Sequence, residues 1–169
     1  MPSSQSIELW EERAPAPEEL TEPETHVGDW EEEPGKLSDR IAANAKQDLE
    51  MEIRRSQQIL DLEDDWDGNG SPPYAADTLN RATSFLVAHS DWLWRSHGVR
   101  IPVPTIGPGP EGSIDLYWKR TGWELLVNIP VETEKPATFS GNNYGTEKSK
   151  GSFDPGKRNI TIASWLIGQ

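Results

Sequence analysis

The stretch that most constrains the fold is residues 114–129, which read IDLYWKRTGWELLVNI. Apolar and polar side chains alternate on both sides of Thr121 and Gly122, and a period of two places every second side chain on one face of a strand. The glycine supplies a turn between the two runs. The sequence therefore predicts an antiparallel hairpin with one buried face, formed by Ile114, Leu116, Trp118, Trp123, Leu125, Val127 and Ile129.

Two amphipathic helices are predicted before the hairpin. Ser38 is a suitable N-cap for a helix that runs to about Leu62, and a second helix follows residues 71–73 and stops near Gly98. Because the connection is short, we expect the two to form an antiparallel helical hairpin over residues 38–97. The apolar positions are Ile41, Ala45, Leu49, Ile53 and Leu60 in the first helix, and Ala75, Leu79, Ala82, Leu86, His89 and Leu93 in the second.

Residues 99–169 are predicted to form an antiparallel sheet. Prolines limit residues 99–106 to an edge strand at most, residues 137–141 form a weaker strand, and residues 159–166 form the last strand. The predicted class is α+β, with a helical hairpin packed on a small antiparallel sheet in one domain, residues 38–169. A disordered acidic tail, residues 1–37, is predicted to precede it.

The negative charge is concentrated at the N-terminus. Residues 1–40 hold 12 Asp or Glu against 3 Lys or Arg, whereas residues 41–169 hold 17 against 13. Such a balance argues against direct nucleic-acid binding, which needs Lys and Arg at phosphates. Trp10 and Trp30 stand among these acids, as in segments that fold onto a basic protein surface. A purely solvating tail and a mimic of nucleic-acid charge are the alternatives.

The absence of cysteine from the 169 residues excludes disulfides and Cys-ligated zinc. The first residues lack the basic and apolar regions of a signal peptide, and no run approaches about 18 apolar residues. We therefore expect a cytoplasmic protein with no membrane partner.

Residues 63–71, EDDWDGNGS, contain the start of a calcium-loop pattern. Asp65, Asp67 and Asn69 occupy positions 1, 3 and 5, and Gly70 occupies position 6. Position 12, where such loops carry a bidentate Glu, is Ala76. A structural turn is therefore favoured, with Trp66 packed between the helices, and Ca²⁺ binding at the three oxygen-bearing residues is the alternative.

The same turn carries a resemblance. With the strand that begins EGSIDLYW, it is similar to a group of small bacterial proteins that have a W-D-G-Y-G-A-x-P-type turn and a G-G-I-x-L-x-W strand. The likeness covers about residues 55–130, and Asn69 stands where the group often has an aromatic residue. The matching positions are Trp66, Asp67, Gly68, Gly70 and Pro73. The group has no established activity, so the resemblance implies a structural turn and no function.

The eight tryptophans predict a protein-binding surface. Trp66, Trp92, Trp118 and Trp123 fit one core, whereas Trp94 and Trp165 do not fit that pattern and are expected to be exposed anchors. A polar loop, residues 141–151, is the other candidate contact region. The predicted partner-binding residues are Trp10, Trp30, Trp94, Asn142, Asn143, Tyr144 and Trp165.

These features favour a non-enzymatic interaction module without a cofactor. It would serve as an accessory or inhibitory subunit on a basic partner, as an antitoxin-like or immunity factor or as part of a bacterial defence nucleoprotein complex. The alternatives are a calcium-binding module and a small hydrolase that uses the acids of residues 61–67. No Ser, His and Asp set can be assembled from sequence positions alone, so no catalytic residue is predicted.

Overall fold

The computed structural model describes residues 34–145 and 147–168, which belong to one compact unit, Pro34–Gln169. Trp10, Trp30 and most of the predicted acidic tail lie outside the described residues. None of the described helices is long and apolar enough to cross a membrane. The elements are α1 (Pro34–Ser56, continued by a 3-10 helix, Gln57–Asp61), α2 (Ala76–His97), β1 (Thr105–Pro108), β2 (Ile114–Arg120), β3 (Trp123–Ile129), β4 (Ala137–Asn143), β5 (Glu147–Phe153) and α3 (Ile160–Ile167), with a second 3-10 helix at Pro110–Gly112.

The five strands form one antiparallel sheet in the order β1-β2-β3-β4-β5. The β2–β3 hairpin is confirmed, with Ile114 opposite Ile129 and Trp118 opposite Leu125. All seven of its predicted inward side chains are buried. Strand alternation therefore gives the sheet one apolar inner face, while the other face is left open by the helices that the structure describes.

Helices cover the inner face and one edge of this sheet. The buried side chains of α2, among them Leu79, Phe85 and Leu86, lie over β2 and β3. Helix α1 contacts β1 instead, and its Glu52 Oε1 accepts a hydrogen bond of 2.8 Å from the backbone N–H of Ile106. The α+β class is confirmed, whereas the helical hairpin is not confirmed, since α1 and α2 contact different strands.

The C-terminal strand predicted at residues 159–166 is wrong, because this segment forms α3. The side chain of Asn159 caps the helix by accepting a hydrogen bond of 3.0 Å from the N–H of Ile162. The apolar residues Ile162, Trp165 and Leu166 follow helical spacing and are buried. Trp165 is only 3% exposed, so its predicted role as an exposed anchor is also wrong.

Residues 141–151 are not an irregular loop. They form the end of β4, a short turn and most of β5, with Asn143 paired to Glu147. Helix α3 packs against β4 at Gly141, where there is no side chain. A Cβ added to Gly141 would lie 2.5 Å from the indole of Trp165. The ring occupies the space that a side chain at residue 141 would need.

We expect Gly141→Ala to lower the free energy of unfolding by about 2 kcal/mol, because the new methyl group must displace the Trp165 ring. Urea unfolding followed by tryptophan fluorescence measures this loss. Gly107→Ala, in β1, is the control, since a Cβ there meets no atom within 4 Å. Equal stability of the two variants would contradict the packing of α3 on β4.

Candidate functional site

A surface cavity lies between α1, α2 and the segment that leads into β1; we call it the Trp94 groove. Its volume is about 430 Å³, within the range of ligand-binding clefts. Small side chains of α1 leave this space open between the two helices. The groove is lined by Ala42, Ala43, Ala45, Leu49 and Ile53 from α1, by Val87, Ser90 and Trp94 from α2, and by Ile101, Pro102 and Val103.

Trp94 is the largest exposed side chain of this groove. It remains 40% exposed, and the guanidinium carbon of Arg100 lies 4.0 Å from the centre of its ring. The cation–π contact orients the indole while leaving part of it accessible. Three acids, Asp39, Glu50 and Asp91, and the bases Lys46 and Arg100 border the apolar floor. The groove thus combines an apolar floor with a charged rim.

A second group of side chains lies around Glu124 on the open face of the sheet. The phenols of Tyr117 and Tyr144 donate hydrogen bonds of 2.6 and 2.9 Å to its Oε2, and Asn142 Nδ2 donates one of 3.4 Å to its Oε1. The hydrogen bond to Glu124 raises the pKa of Tyr117 to about 12, and the three donors lower the pKa of Glu124. Of the predicted contact residues in this region, Asn142 and Tyr144 belong to this cluster.

Asn143 stands apart from that cluster, half-buried and paired with Trp123 at the end of the hairpin. The structure does not bring the described members of the predicted partner-binding set into one site. Trp94 lies in the groove beside the helices, whereas Asn142 and Tyr144 lie beside Glu124 on the open sheet face, and Trp165 is in the core. Trp94 is therefore the one described tryptophan of that set that is available to a partner.

Asp115 is a half-buried carboxylate on the open face of the sheet, and the sequence analysis did not predict it as a binding residue. Its Oδ1 accepts a hydrogen bond of 2.7 Å from the side-chain amide of Asn128, which also donates to Ser113 Oγ. Burial raises the pKa of Asp115, and the Asn128 hydrogen bond opposes this effect. Its position between apolar Ile114 and Leu116 on a strand was the available signal, since it places the carboxylate on the outer face of the sheet.

The oxygens of the calcium-like segment serve the turn itself. Asp65 Oδ1 accepts a hydrogen bond of 2.7 Å from the N–H of Gly70. Asp67 Oδ1 accepts from the N–H groups of Asn69 and Ser71, and its Oδ2 accepts from Ser71 Oγ at 2.7 Å. The hydrogen bonds from Ser71 and Asn69 lower the pKa of Asp67. Within residues 34–145 and 147–168, no three His, Cys, Asp or Glu side chains are grouped to hold a metal ion.

The predicted packing of Trp66 between the helices is wrong, because this tryptophan does not fill the core. Trp66 is 42% exposed, and its ring centre lies 6.4 Å from that of Tyr74. Tyr74 is the buried residue, and its hydroxyl donates a hydrogen bond of 2.9 Å to the carbonyl of Gly109. The short proline-rich connection after the turn, rather than the indole, ties this region to the sheet.

His89 is a buried titratable group that joins α2 to α3. One ring nitrogen, Nδ1, lies 3.1 Å from the carbonyl oxygen of Phe85, and the other, Nε2, accepts a hydrogen bond from the N–H of Asn159 at 3.2 Å. These partners favour a neutral ring with its proton on Nδ1. Burial lowers the pKa of His89, against the effect of the Phe85 carbonyl. Both ring nitrogens therefore have structural partners.

Comparison of the chain with protein-family models, curated proteins and solved structures finds no match. The features that bear on function are therefore the Trp94 groove, the open face of the sheet and the distribution of charge along the chain.

We expect the stability of the protein to fall as the pH drops below about 6.5, the ordinary pKa of histidine. Because burial lowers the pKa of His89 in the folded state, the unfolded chain takes up the proton at a higher pH than the folded protein does. The contribution of neutral His89 to stability is therefore fully present above about pH 6.5 and is lost as the pH falls. His89→Gln should remove this part of the pH dependence. Thermal unfolding between pH 5 and 7.5 measures it, with His97→Gln, an exposed histidine of the same helix, as the control.

A second test concerns the turn. Asp67→Asn should lower the melting temperature. One carboxylate oxygen of Asp67 becomes an NH₂ group, which cannot accept the hydrogen bonds that the turn donates to that oxygen, such as the one from the Ser71 hydroxyl. Asp64→Asn, at a neighbouring exposed acid, should not. Millimolar Ca²⁺ should leave both the melting temperature and the Trp66 fluorescence unchanged. A saturable response to Ca²⁺ that Asp65→Asn abolishes would instead establish the calcium-binding alternative.

Proposed function

We propose that this protein is a non-enzymatic interaction module, an accessory or inhibitory subunit that binds a basic partner protein. The Trp94 groove carries the proposal. It combines an apolar floor of about 430 Å³ with a tryptophan that is 40% exposed. Tryptophans in such settings are the residues that contribute most to protein–protein affinity.

The groove favours an apolar helix face of a partner as its occupant. Ala42, Ala45 and Leu49 recur at helical spacing along one wall, and Trp94 closes the other. An amphipathic helix presents side chains at the same spacing, so one helix can fill the space between α1 and α2. In this proposal the two helices act as a pair, as the sequence predicts.

The charge of the chain favours a basic partner. Residues 1–33 contain 11 Asp or Glu and one basic residue, Arg13, whereas the folded unit that follows is nearly balanced. Acidic residues of this density accelerate encounters with basic surfaces in a salt-dependent way. In this proposal Trp10 and Trp30 add anchors on the partner, while direct contact with nucleic acid is disfavoured by the same charges.

This mode of action requires occlusion or scaffolding and no bond chemistry. A cytoplasmic antitoxin-like or immunity factor would cover the active surface of its basic target, and a subunit of a defence nucleoprotein complex would bind another protein of the assembly. The engagement of Asp65 and Asp67 within their own turn supports this reading over the hydrolase alternative.

Affinity capture with the full-length chain, at low and high salt in extracts of its native host, identifies the partner. With that partner purified, we expect Trp94→Ala to weaken binding at least about 30-fold, corresponding to about 2 kcal/mol, as for a central interface tryptophan. Trp66→Ala is the matched control, because the two indoles are 40% and 42% exposed but lie on different surfaces. Isothermal titration calorimetry measures both.

Deletion of residues 1–33, which leaves α1 whole, tests the electrostatic part. The truncated chain should bind more weakly at low salt and with a smaller salt dependence. An unchanged affinity at low salt would contradict a role of the tail. Equal affinities of the Trp94→Ala and wild-type proteins would contradict a role of the groove.

A further inference from the structure

We propose that a shallow depression on the open face of the sheet, the Asp115 depression, is a binding site for a guanidinium group. This inference rests on the local structure and is independent of the Trp94 groove. The depression has a volume of about 350 Å³ and is lined by Thr105, Gly107, Pro108, Asp115, Tyr117 and Leu126.

The pairing of three strands creates the depression. Gly107 is directly opposite Asp115, Thr105 is opposite Tyr117, and Tyr117 is opposite Leu126, so these positions share the open face. A Cβ added to Gly107 would meet no atom within 4 Å. The missing side chain therefore leaves space next to the carboxylate.

The carboxylate in that space has an incomplete set of partners. Asp115 Oδ1 accepts a hydrogen bond from Asn128, which is a neutral donor, and no ion pair to Asp115 is present in the described part of the chain. A half-buried negative charge without a cation is unfavourable. A cation placed in the depression would compensate it, and burial makes the resulting interaction stronger than on an open surface.

The walls favour guanidinium over ammonium. Tyr117 provides an aromatic surface, and its hydroxyl is held by Glu124 at 2.6 Å, so the ring is already oriented. A planar guanidinium can pair with a carboxylate while it stacks against an aromatic ring, whereas an ammonium group has neither the plane nor the fork of donors. Leu126 adds apolar contact for the methylenes of an arginine side chain.

The loop before β2 is shaped around this carboxylate. A Cβ on Gly109 would lie 2.5 Å from Ser113 Oγ and 2.9 Å from Asp115 Oδ1, so only glycine permits the close approach of the backbone. Ser113 Oγ in turn accepts from the Asn128 amide. This support keeps the carboxylate in place without neutralising it, as expected for a binding group.

A binding role and a structural role predict opposite effects of Asp115→Asn on the free protein. The amide oxygen can still accept from Asn128, but the desolvated charge is gone. The melting temperature at pH 7 should therefore rise by about 2 °C. A carboxylate that stabilised the fold would give a decrease.

The ligand test is an NMR titration of the full-length protein with a capped Gly-Arg-Gly peptide, a capped Gly-Lys-Gly peptide and free arginine. We expect the arginine peptide to shift the backbone amides of residues 105–107, 115–117 and 126, and the lysine peptide to bind at least about tenfold more weakly. Asp115→Asn should weaken arginine binding by at least about tenfold. Asp48→Asn, an exposed acid of α1, makes the same change in net charge and should bind as the wild type does.

The titrations with capped peptide and with free arginine also distinguish two sources of the guanidinium group, an arginine side chain of a protein and the free amino acid. Binding of the capped peptide alone identifies an arginine side chain of a protein, whereas equal binding of free arginine identifies the amino acid. Equal affinity for the arginine and lysine peptides would overturn the proposal, as would wild-type binding by Asp115→Asn. A lowered melting temperature of that variant would assign Asp115 to the structure instead. None of these results depends on whether Trp94→Ala affects a partner.

Discussion

The burial of one face of the β2–β3 hairpin is the interaction on which the rest of the structure depends. Seven side chains on that face are at most 6% exposed, and five of them are fully buried. Burying a large apolar side chain contributes about 1.5–3 kcal/mol, so this face supplies much of the favourable free energy of the described unit. It also sets the position of α2, which lies on these strands. The indole N–H of Trp118 donates to the carbonyl of Pro102 at 2.7 Å and thereby fixes the segment before β1.

A sheet that is covered on one face offers two different surfaces. On the helix side, the space that remains between α1 and α2 is apolar and ends at Trp94. On the open side, polar side chains of neighbouring strands meet, and their hydrogen bonds orient Tyr117, Glu124 and Asp115. The alternation that buries the hairpin therefore leaves the polar depression on the open side of the sheet, whereas the helices and residues 100–103 form the apolar groove.

Local patterns predicted the elements whose partners are close in sequence. The β2–β3 hairpin and α2 followed from a period of two and a helical stripe, and Gly98, with φ of +63°, ends α2 where expected. Helix α3 was read as a strand because eight residues hold too few turns for the period to be distinctive. Strand β5 was not predicted because its residues, EKSKGSF, offer only Phe153 as a large apolar side chain, so no alternation is visible.

The sites were harder to predict than the fold, because they arise from contacts between distant residues. Trp165 is buried by Gly141, which is 24 positions earlier, and no local pattern reveals that the glycine makes room for an indole. The turn at residues 65–71 was easier to anticipate, because Asp65 and Asp67 accept hydrogen bonds from residues within the same turn. The pattern of β2 places Asp115 on the outer face, but the space beside its carboxylate is visible only once the sheet register places Gly107 opposite it.

The segment from Arg100 to Pro108 connects the two surfaces. Its first residues line the Trp94 groove, and its last residues, in β1, line the Asp115 depression. Because Glu52 of α1 accepts the N–H of Ile106, part of the outer edge of β1 is already occupied, which disfavours backbone pairing by a partner there. In the two proposals, recognition at this end of the sheet uses side chains, with an apolar face in the groove and a cation in the depression. A partner that uses both would have to cross over β1, which makes the short edge strand the geometric link between the two proposed sites.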